Sequence, residues 1–278
     1  MDPTYSVLVT GSAGHLGTAL MLALPGLGFQ PFGIDILESP TTTAVGNISD
    51  RTFINDLLRG SSIKHIIHAA TLHKPHVGSH TKEQFVETNI TGTIVLLEEA
   101  ASLVDQIESF LFLSTTSTFG TALSPKPGNP AAWIDESVVP QPKNIYGVTK
   151  VAAEDMCLLV QKQTGLPVLV LRTSRFFPEE DDDDDRRSAL GDANLKVLEL
   201  AYRRCDLEDV VGACVCGMAR ARRIGWGRAV RELGWKPRYT FAETVRMVGE
   251  GGEWRSELTV KVGRKRYHAV STGVYTQR

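Results

Sequence analysis

Short apolar runs alternate with longer amphipathic stretches along the N-terminal part of the chain. Val7–Val9, Phe110–Leu113 and Val168–Leu171 are apolar throughout, and small or polar residues follow them. Glu83–Val104 and Tyr146–Lys162 instead carry apolar residues at helical spacing. Strands that are apolar on both faces and alternate with helices are typical of a parallel sheet covered by helices on both sides. The pattern therefore predicts an α/β fold with a doubly wound parallel sheet.

The first predicted strand runs directly into a glycine-rich turn. Gly11, Gly14 and Gly17 follow Val7–Val9, and an apolar, helix-compatible run begins at Thr18. In a dinucleotide-binding turn, the first glycine tolerates a positive φ, the second lets a pyrophosphate approach the backbone, and the third lets the helix pack on the strand. The helix N-terminus then presents free N–H groups to the phosphates. This spacing also fits an ordinary strand–turn–helix connection, but its place after the first strand favours dinucleotide binding.

A second short strand, Pro31–Asp35, ends in an acid. Asp35 lies 18 residues after Gly17, close to the roughly 20 residues expected for the acid that binds the adenosine ribose. A carboxylate accepts hydrogen bonds from the ribose hydroxyls and repels a 2′-phosphate. The sequence therefore predicts NAD rather than NADP, with an ordinary strand-end aspartate as the alternative.

Composition excludes several classes of function. The 278 residues are 42% hydrophobic and 22% charged, as in soluble globular proteins. A net charge of −2 disfavours a nucleic-acid or anionic-membrane partner. No apolar run approaches the roughly 18 residues of a membrane span, and the N-terminus lacks the basic segment of a signal peptide. We therefore expect a cytoplasmic protein. The four cysteines show no metal-ligand spacing, and the loop histidines His73, His76 and His80 form only a weak pattern, so we expect no bound metal.

The composition changes sharply after Pro178. Seven consecutive acids occupy 179–185, which is typical of a solvated loop at a domain boundary. We therefore predict a dinucleotide-binding domain over 1–175 and a small C-terminal lobe over 176–278. Within this lobe the pattern predicts a helix over 189–203, a strand or strand end over 206–211, a helix over 212–221, and a helix through Val248 that begins with a capping box at Thr240.

A tyrosine and a lysine in one predicted helix are the strongest candidates for chemistry. Tyr146 and Lys150 are four residues apart and share a helix face. A neighbouring ammonium stabilises phenolate, so we expect a lowered pKa for Tyr146 and a role in moving a hydroxyl proton. A third partner, a hydroxyl, is available in Ser114–Ser117 at the end of a predicted strand. A surface pair and a polar strand exit are the alternatives.

Together these motifs resemble the extended short-chain dehydrogenase/reductase superfamily, in its NAD-dependent epimerase/dehydratase branch, and are UDP-glucose 4-epimerase-like. The resemblance covers most of residues 5–250. It rests on Thr10–Gly17, Asp35, His68–Ala70, Asn89–Thr93, Ser114–Gly120, Tyr146–Lys150, Arg172, Asp206–Val211 and Leu233–Pro237. It implies a Rossmann-type sheet with a small C-terminal substrate-binding lobe.

The resemblance also implies roles for individual residues. Thr115 would position the reacting hydroxyl, Tyr146 would be the acid/base, and Lys150 would tune Tyr146 and hold the cofactor. The implied cofactor-binding residues are Gly11, Gly14, His15, Leu16, Gly17, Asp35, Asn47, Ile48, Ala69, Ala70, Thr71, Asn89, Tyr146 and Lys150. A nucleotide sugar is the implied small-molecule substrate, and the implied assembly is a homodimer formed through the helices at 85–104 and 146–160.

Some positions depart from the family pattern. Thr116 and Ser117 replace an Asp–Glu pair of the sugar dehydratases, which disfavours dehydration. Arg175 stands where nucleotide-sugar enzymes commonly have an asparagine, which favours a different anionic or polar substrate. Thr116 and Arg175 are therefore the candidate substrate contacts. The stretch between Val211 and Gly234 is shorter than the family usually has, which predicts a reduced substrate lobe.

The sequence thus predicts an NAD-dependent sugar-nucleotide epimerase or related oxidoreductase. Two alternatives stay open at this point, namely an NAD-dependent reductase of a small carbonyl compound and a non-catalytic NAD-binding regulatory protein. The presence of Thr115, Tyr146 and Lys150 argues against the second, because a pure binding module needs no acid/base pair.

Overall fold

Six parallel strands form the central sheet of the computed structural model, which describes residues 5–124, 126–130, 132, 134–176, 204–221 and 233–263. The strands are β1 (Val7–Thr10), β2 (Pro31–Asp35), β3 (Ala44–Val45), β4 (His65–His68), β5 (Ser109–Thr115) and β6 (Val168–Thr173). Their order in the sheet is β3-β2-β1-β4-β5-β6. This is the strand order of the Rossmann fold, so the predicted doubly wound parallel sheet is confirmed.

Helices cover both faces of this sheet. They are α1 (His15–Ala23), α2 (Arg51–Arg59), α3 (Lys82–Val86), α4 (Gly92–Ala101), α5 (Ile145–Thr164), α6 (Leu207–Arg220), α7 (Phe241–Gly249) and α8 (Glu257–Val262). A π-helical turn, Glu87–Thr91, joins α3 to α4. The helix predicted over 83–104 is therefore interrupted by this turn, and α4 ends at Ala101.

The strands are buried because their alternate side chains enter two separate cores. Leu8, Ile66 and Phe110 pack with α2, α4 and α5 on one face. Val9 and Leu111 pack with α1 and α6 on the other. Each fully buried aliphatic or aromatic side chain contributes about 1.5–3 kcal/mol through removal from water. These two cores fix the strand ends that carry the polar residues described below.

The prediction of a strand over 206–211 is wrong. Asp206 is the N-cap of α6, and its carboxylate accepts from the N–H of Glu208 at 2.8 Å. Leu207, Val210, Val211 and Cys214 recur at helical spacing and enter the second core. A short strand does precede the cap, since β8 (Arg204–Cys205) pairs in parallel with β7 (Arg175–Phe176).

The C-terminal part of the described chain is tied to α6 by buried carboxylates. Asp206 accepts from the N–H of Ser256 at 2.8 Å, and Asp209 accepts from the N–H groups of Arg238 and Tyr239 at 2.7 and 2.9 Å. Thr240 caps α7 as predicted. The acidic run 179–185 and the helix predicted over 189–203 lie outside the described residues. The domain division at residue 175 stays a prediction.

Among the described residues, no helix is both long and apolar enough to cross a bilayer.

Candidate active site

Polar side chains gather along the edge of the sheet where the parallel strands end. Thr10, Asp35, His68 and Thr115 are the last residues of β1, β2, β4 and β5. In open parallel sheets, ligands bind beyond the carboxyl ends of the strands, where the strand order reverses. Here the order reverses between β1 and β4, which makes this edge the candidate site.

The glycine turn leaves no room for side chains. Gly11 has a φ of +73°, and a Cβ at this position would lie 2.7 Å from the nitrogen of Ala70. A Cβ on Gly17 would lie 1.9 Å from the carbonyl oxygen of Gly11. No side chain caps the N-terminus of α1. Its first helical hydrogen bond runs from the N–H of Thr18 to the carbonyl oxygen of Gly14 at 2.8 Å. The first turn of α1, at His15 and Leu16, can therefore bind the phosphates of a dinucleotide.

Asp35 sits directly beside this turn. Its Oδ2 accepts from the N–H of Ala13 at 3.0 Å, and its Oδ1 accepts from the N–H of Leu37 at 2.9 Å. Each carboxylate oxygen keeps a lone pair for a further donor such as a ribose hydroxyl. Of the two residues predicted near adenine, Ile48 is buried, whereas the side-chain oxygen of Asn47 accepts from Ser49.

Thr115 and Tyr146 meet at the end of β5. Asn144 caps α5 and accepts from the N–H of Gly147 at 3.0 Å, which places Tyr146 in the first turn of the helix. Both Thr115 and Tyr146 are buried, and the Thr115 hydroxyl lies close enough to affect the pKa of the phenol. Burial raises the pKa of Tyr146 to about 12, although the nearby Thr115 hydroxyl opposes this rise. The phenol is therefore protonated at neutral pH in this state.

Lys150 is turned toward β5. Its Nζ donates to the carbonyl oxygen of Leu113 at 2.6 Å and lies 3.9 Å from the ring centre of Phe112. Burial lowers the pKa of Lys150 to about 7. The expectation that Lys150 lowers the pKa of Tyr146 is wrong for this state, because burial of the phenol outweighs every favourable contact.

Asn89 joins the loop after β4 to α5. Its Oδ1 accepts from Thr71 Oγ1 at 2.9 Å and from the N–H of Leu72 at 2.8 Å. Its Nδ2 donates to the Leu72 carbonyl at 2.8 Å and to Thr149 Oγ1 at 3.0 Å. Asn89 lies in the π-helical turn, a feature that occurs frequently at functional sites. This side chain thereby holds the backbone next to Ala69 and Ala70 against the helix that carries Tyr146.

The candidate substrate contacts, Thr116 and Arg175, follow the carboxyl ends of β5 and β6, and we call this region the mouth of the site. Thr116 begins a short 3₁₀ turn directly after Thr115, and Arg175 lies in β7. Lys74 follows β4, and its pKa is lowered to about 8 by burial and by the charges of Arg175 and Lys143. The three cations therefore influence one another at this mouth.

Two other sequence features have definite positions. The rings of His73, His76 and His80 contact one another edge to face, with centroids 4.7 and 4.8 Å apart. Within the described ranges, no group of three or more His, Cys, Asp or Glu residues is placed to bind a metal. Arginines occupy positions 220, 222, 223, 228 and 231. Arg220 donates to the carbonyl of Leu233, and the other four lie outside the described residues.

Sequence reasoning missed two buried polar groups at this edge. His68 lies between two threonine hydroxyls, and Glu154 accepts from Ser114 and from Arg172. The available signal was the presence of an ionisable residue within an apolar pattern, His68 in a strand and Glu154 on the helix face of Lys150.

Comparison with known proteins supports this interpretation of the fold. A model of the "NAD dependent epimerase/dehydratase family" matches residues 7–223. UDP-glucose 4-epimerase from Rhizobium meliloti is 31% identical over 176 residues, which cover 60% of this chain and 50% of the relative. UDP-glucuronate 4-epimerase 4 from Arabidopsis thaliana is 27% identical over 246 residues, which cover 78% of this chain and 55% of the relative. The chain spans about half the length of the curated relatives it matches.

Solved structures share the same fold. UDP-glucose 4-epimerase from Thermotoga maritima, solved with UDP-glucose, has a TM-score of 0.65 and 17% identity, and the match covers 88% of this chain and 97% of that one. UDP-glucose 4-epimerase from Brucella ovis, solved in complex with NAD, has a TM-score of 0.61 and 21% identity over 82% and 80% of the two chains. Since the family model matches more than half of the sequence, the chain belongs to the NAD dependent epimerase/dehydratase family.

Proposed function

We propose that the chain binds NAD at the carboxyl edge of its sheet and epimerises a hydroxyl-bearing carbon of a nucleotide sugar. The observation that carries this proposal is the proximity of the buried Thr115 and Tyr146 at the same sheet edge as the glycine turn. Relatives named as UDP-glucose and UDP-glucuronate 4-epimerases support the substrate class.

The residues at this edge fit the cofactor. The uncapped first turn of α1, with Gly11, Gly14 and Gly17, leaves backbone N–H groups for the pyrophosphate. Asp35 can accept from the adenosine ribose, with Asn47 and Ile48 toward adenine. The loop Ala69–Thr71, supported by Asn89, lines the cleft between this turn and Tyr146. Bound NAD supplies reversible oxidation of the sugar carbon.

In this proposal, Tyr146 transfers the proton of the reacting hydroxyl and Thr115 binds the hydroxyl oxygen. Thr115 lies beside the phenol and is proposed to bind the same substrate oxygen. The protonated phenol can return a proton to a ketone oxygen, whereas removal of the hydroxyl proton requires phenolate. Once its ammonium leaves the carbonyl of Leu113, Lys150 can stabilise phenolate and hold the nicotinamide ribose.

The proposal also includes a homodimer and two residues that contact the substrate. A homodimer would use the outer faces of α4 and α5, where Val148 and Leu159 are exposed. Thr116 and Arg175 are the residues proposed to contact the substrate, and the cationic mouth around Lys74 favours one that carries negative charge.

The experiment that tests the function uses the full chain loaded with NAD. UDP-glucose and UDP-glucuronate are supplied separately, and the products are separated by chromatography while NADH absorbance is followed. We expect conversion of one sugar into its C4 epimer without net accumulation of NADH. Failure to bind NAD would overturn the proposal. Steady oxidation of added NADH by a small aldehyde or ketone, with no epimer formed, would replace it with a carbonyl reductase.

Replacement of Asp35 by asparagine tests the choice of dinucleotide. Affinity for NAD is expected to fall about tenfold, because hydrogen bonds to a charged acceptor contribute about 1.5–3 kcal/mol. Affinity for NADP is expected to rise, since the repulsion of its 2′-phosphate is lost. Calorimetric titration with both dinucleotides measures this change, and Asp56→Asn on the exposed side of α2 is the control. An unchanged NAD:NADP ratio would remove Asp35 from the binding site.

A further inference from the structure

A buried histidine at the end of β4 has no role in the proposed proton transfer. His68 is 1% exposed, and its ring packs against Phe110 and Phe112 with centroids 6.2 and 5.5 Å apart. Burial, aided by the charge of Lys150, lowers the pKa of His68 to about 3. The imidazole is therefore neutral at physiological pH, with one ring nitrogen protonated and the other a hydrogen-bond acceptor.

The hydroxyl partners determine which nitrogen carries the proton. Thr93 Oγ1 donates to the carbonyl oxygen of Asn89 at 2.7 Å, so it must accept from His68 Nε2, which lies 2.9 Å away. His68 Nδ1 is then the acceptor, and Thr10 Oγ1 donates to it at 2.8 Å. The same oxygen of Thr10 accepts from the N–H of Ala70 at 3.1 Å. Each group in this hydrogen-bond network therefore has one defined role as donor or acceptor.

The two ends of this hydrogen-bond network lie at the proposed cofactor site. At one end, the backbone of Ala70 contacts the glycine turn so closely that a Cβ on Gly11 would lie 2.7 Å from its nitrogen. At the other end, Asn89 bonds Leu72 and Thr149, and Thr149 lies between Tyr146 and Lys150 on α5. A shift of the His68 ring would therefore move the wall of the cleft on both sides.

We propose that His68 is a positioning residue for the dinucleotide, which as an Nε2–H imidazole aligns Thr10 and the Ala70 backbone against the glycine turn. The inference rests on the proposed NAD site. It assigns His68 no contact with the cofactor and no proton transfer, so its effect is on the geometry of the cleft and on affinity for NAD.

The protonation state is tested by ¹⁵N NMR of the histidine rings in the full-length protein without added cofactor. The His68 signals, assigned by their absence in His68→Phe or by connectivity to Thr10 and Thr93, are expected to show a protonated Nε2 and a bare Nδ1 around neutral pH. A protonated Nδ1, or an imidazolium, would overturn the proposal, because the Thr10 hydroxyl could then no longer donate to the ring.

The positioning role is tested by titrating NAD into matched variants. Thr10→Val removes the hydroxyl and keeps the side-chain shape, and we expect NAD affinity to fall about tenfold, because the two hydrogen bonds that align His68 and the Ala70 backbone are lost. Thr10→Ser restores the hydroxyl and is expected to bind NAD within about threefold of wild type. His68→Phe should weaken NAD binding to a similar extent. The double variant Thr10→Val with His68→Phe should bind NAD about as tightly as either single variant.

A histidine at the opposite end of the same strand provides the control. His65 Nδ1 lies 2.9 Å from Ser109 Oγ, so His65→Phe removes a comparable contact away from the cleft. NAD affinity within about twofold of wild type is expected for it. Unchanged affinity in Thr10→Val, or additive losses in the double variant, would overturn the positioning role while wild type still binds NAD. Absence of NAD binding by wild type would instead overturn the proposed function, and this inference with it.

Discussion

Replacement of Tyr146 by phenylalanine is expected to lower epimerase turnover by about 10²–10⁴-fold, the usual contribution of a positioned acid/base. The ring stays in its buried site, so only the hydroxyl beside Thr115 is lost. Affinity for NAD is expected to change less than threefold, because the glycine turn and Asp35 are untouched. The measurement is single-turnover conversion of the sugar nucleotide by NAD-loaded enzyme, with NAD binding titrated in parallel.

Another tyrosine serves as the matched control for this substitution. Tyr5 is partly buried against Phe32, with ring centroids 4.9 Å apart, before β1 and away from the carboxyl edge. Tyr5→Phe is expected to leave turnover unchanged. Thr115→Val should approach the loss seen for Tyr146→Phe, whereas Thr115→Ser should retain most activity. Full turnover in Tyr146→Phe would show that another group moves the proton and would end the assignment of this site.

The features that sequence predicted well are encoded locally. Val7–Val9 is apolar on both faces and is followed by Gly11, whose positive φ and contact with Ala70 only glycine permits. An apolar strand and a glycine turn carry their signals within a few residues. For the same reason the i, i+4 spacing placed Tyr146 and Lys150 on one face of α5 correctly.

The orientation of Lys150 could not be predicted because its partners are distant in sequence. Its ammonium lies against the carbonyl of Leu113 and the ring of Phe112, which β5 brings to α5 only in the folded chain. A helix pattern shows that two residues share a face, but not how deeply that face is buried. Burial is what raises the pKa of Tyr146 and lowers that of Lys150.

The strand predicted over 206–211 failed for a related reason. Asp206 begins a helix because its carboxylate caps the first turn, and the same carboxylate accepts from Ser256, 50 residues away. A short run with β-branched residues fits a strand as well as a helix when its partner is unknown. His68 was missed likewise, since Thr93 and Thr10 lie 25 and 58 residues from it.

An ion pair with a buried carboxylate lies beneath the end of β5 that carries Thr115. The Glu154 carboxylate accepts from Arg172 Nη2 at 2.6 Å and Nε at 3.0 Å, and also from the hydroxyl of Ser114. Ser114 directly precedes Thr115, and Glu154 lies one helical turn after Lys150. The pair therefore ties α5 to β5 and β6 at the position where Thr115 must meet Tyr146.

Glu154→Ala is expected to lower the free energy of unfolding by about 2–4 kcal/mol, because it leaves the guanidinium of Arg172, which is only 22% exposed, without its carboxylate partner. The guanidinium of Arg172 and the hydroxyl of Ser114 lose their shared acceptor together. Urea denaturation of wild type and variant measures the change. Glu108→Ala, which breaks the exposed pair with Lys64, is the control and is expected to cost about 0–1 kcal/mol.

A double variant distinguishes loss of the pair from exposure of a lone charge. Glu154→Met with Arg172→Met replaces both charges by flexible apolar chains, and its stability is expected to recover most of the loss, since apolar replacement of a buried pair is often neutral. Turnover is not expected to recover, because Ser114 no longer has a carboxylate that fixes the end of β5 beside Tyr146. Recovery of both stability and turnover would show that the ion pair has a structural role only. A stability loss below about 1 kcal/mol in Glu154→Ala would contradict the burial of the Glu154 carboxylate.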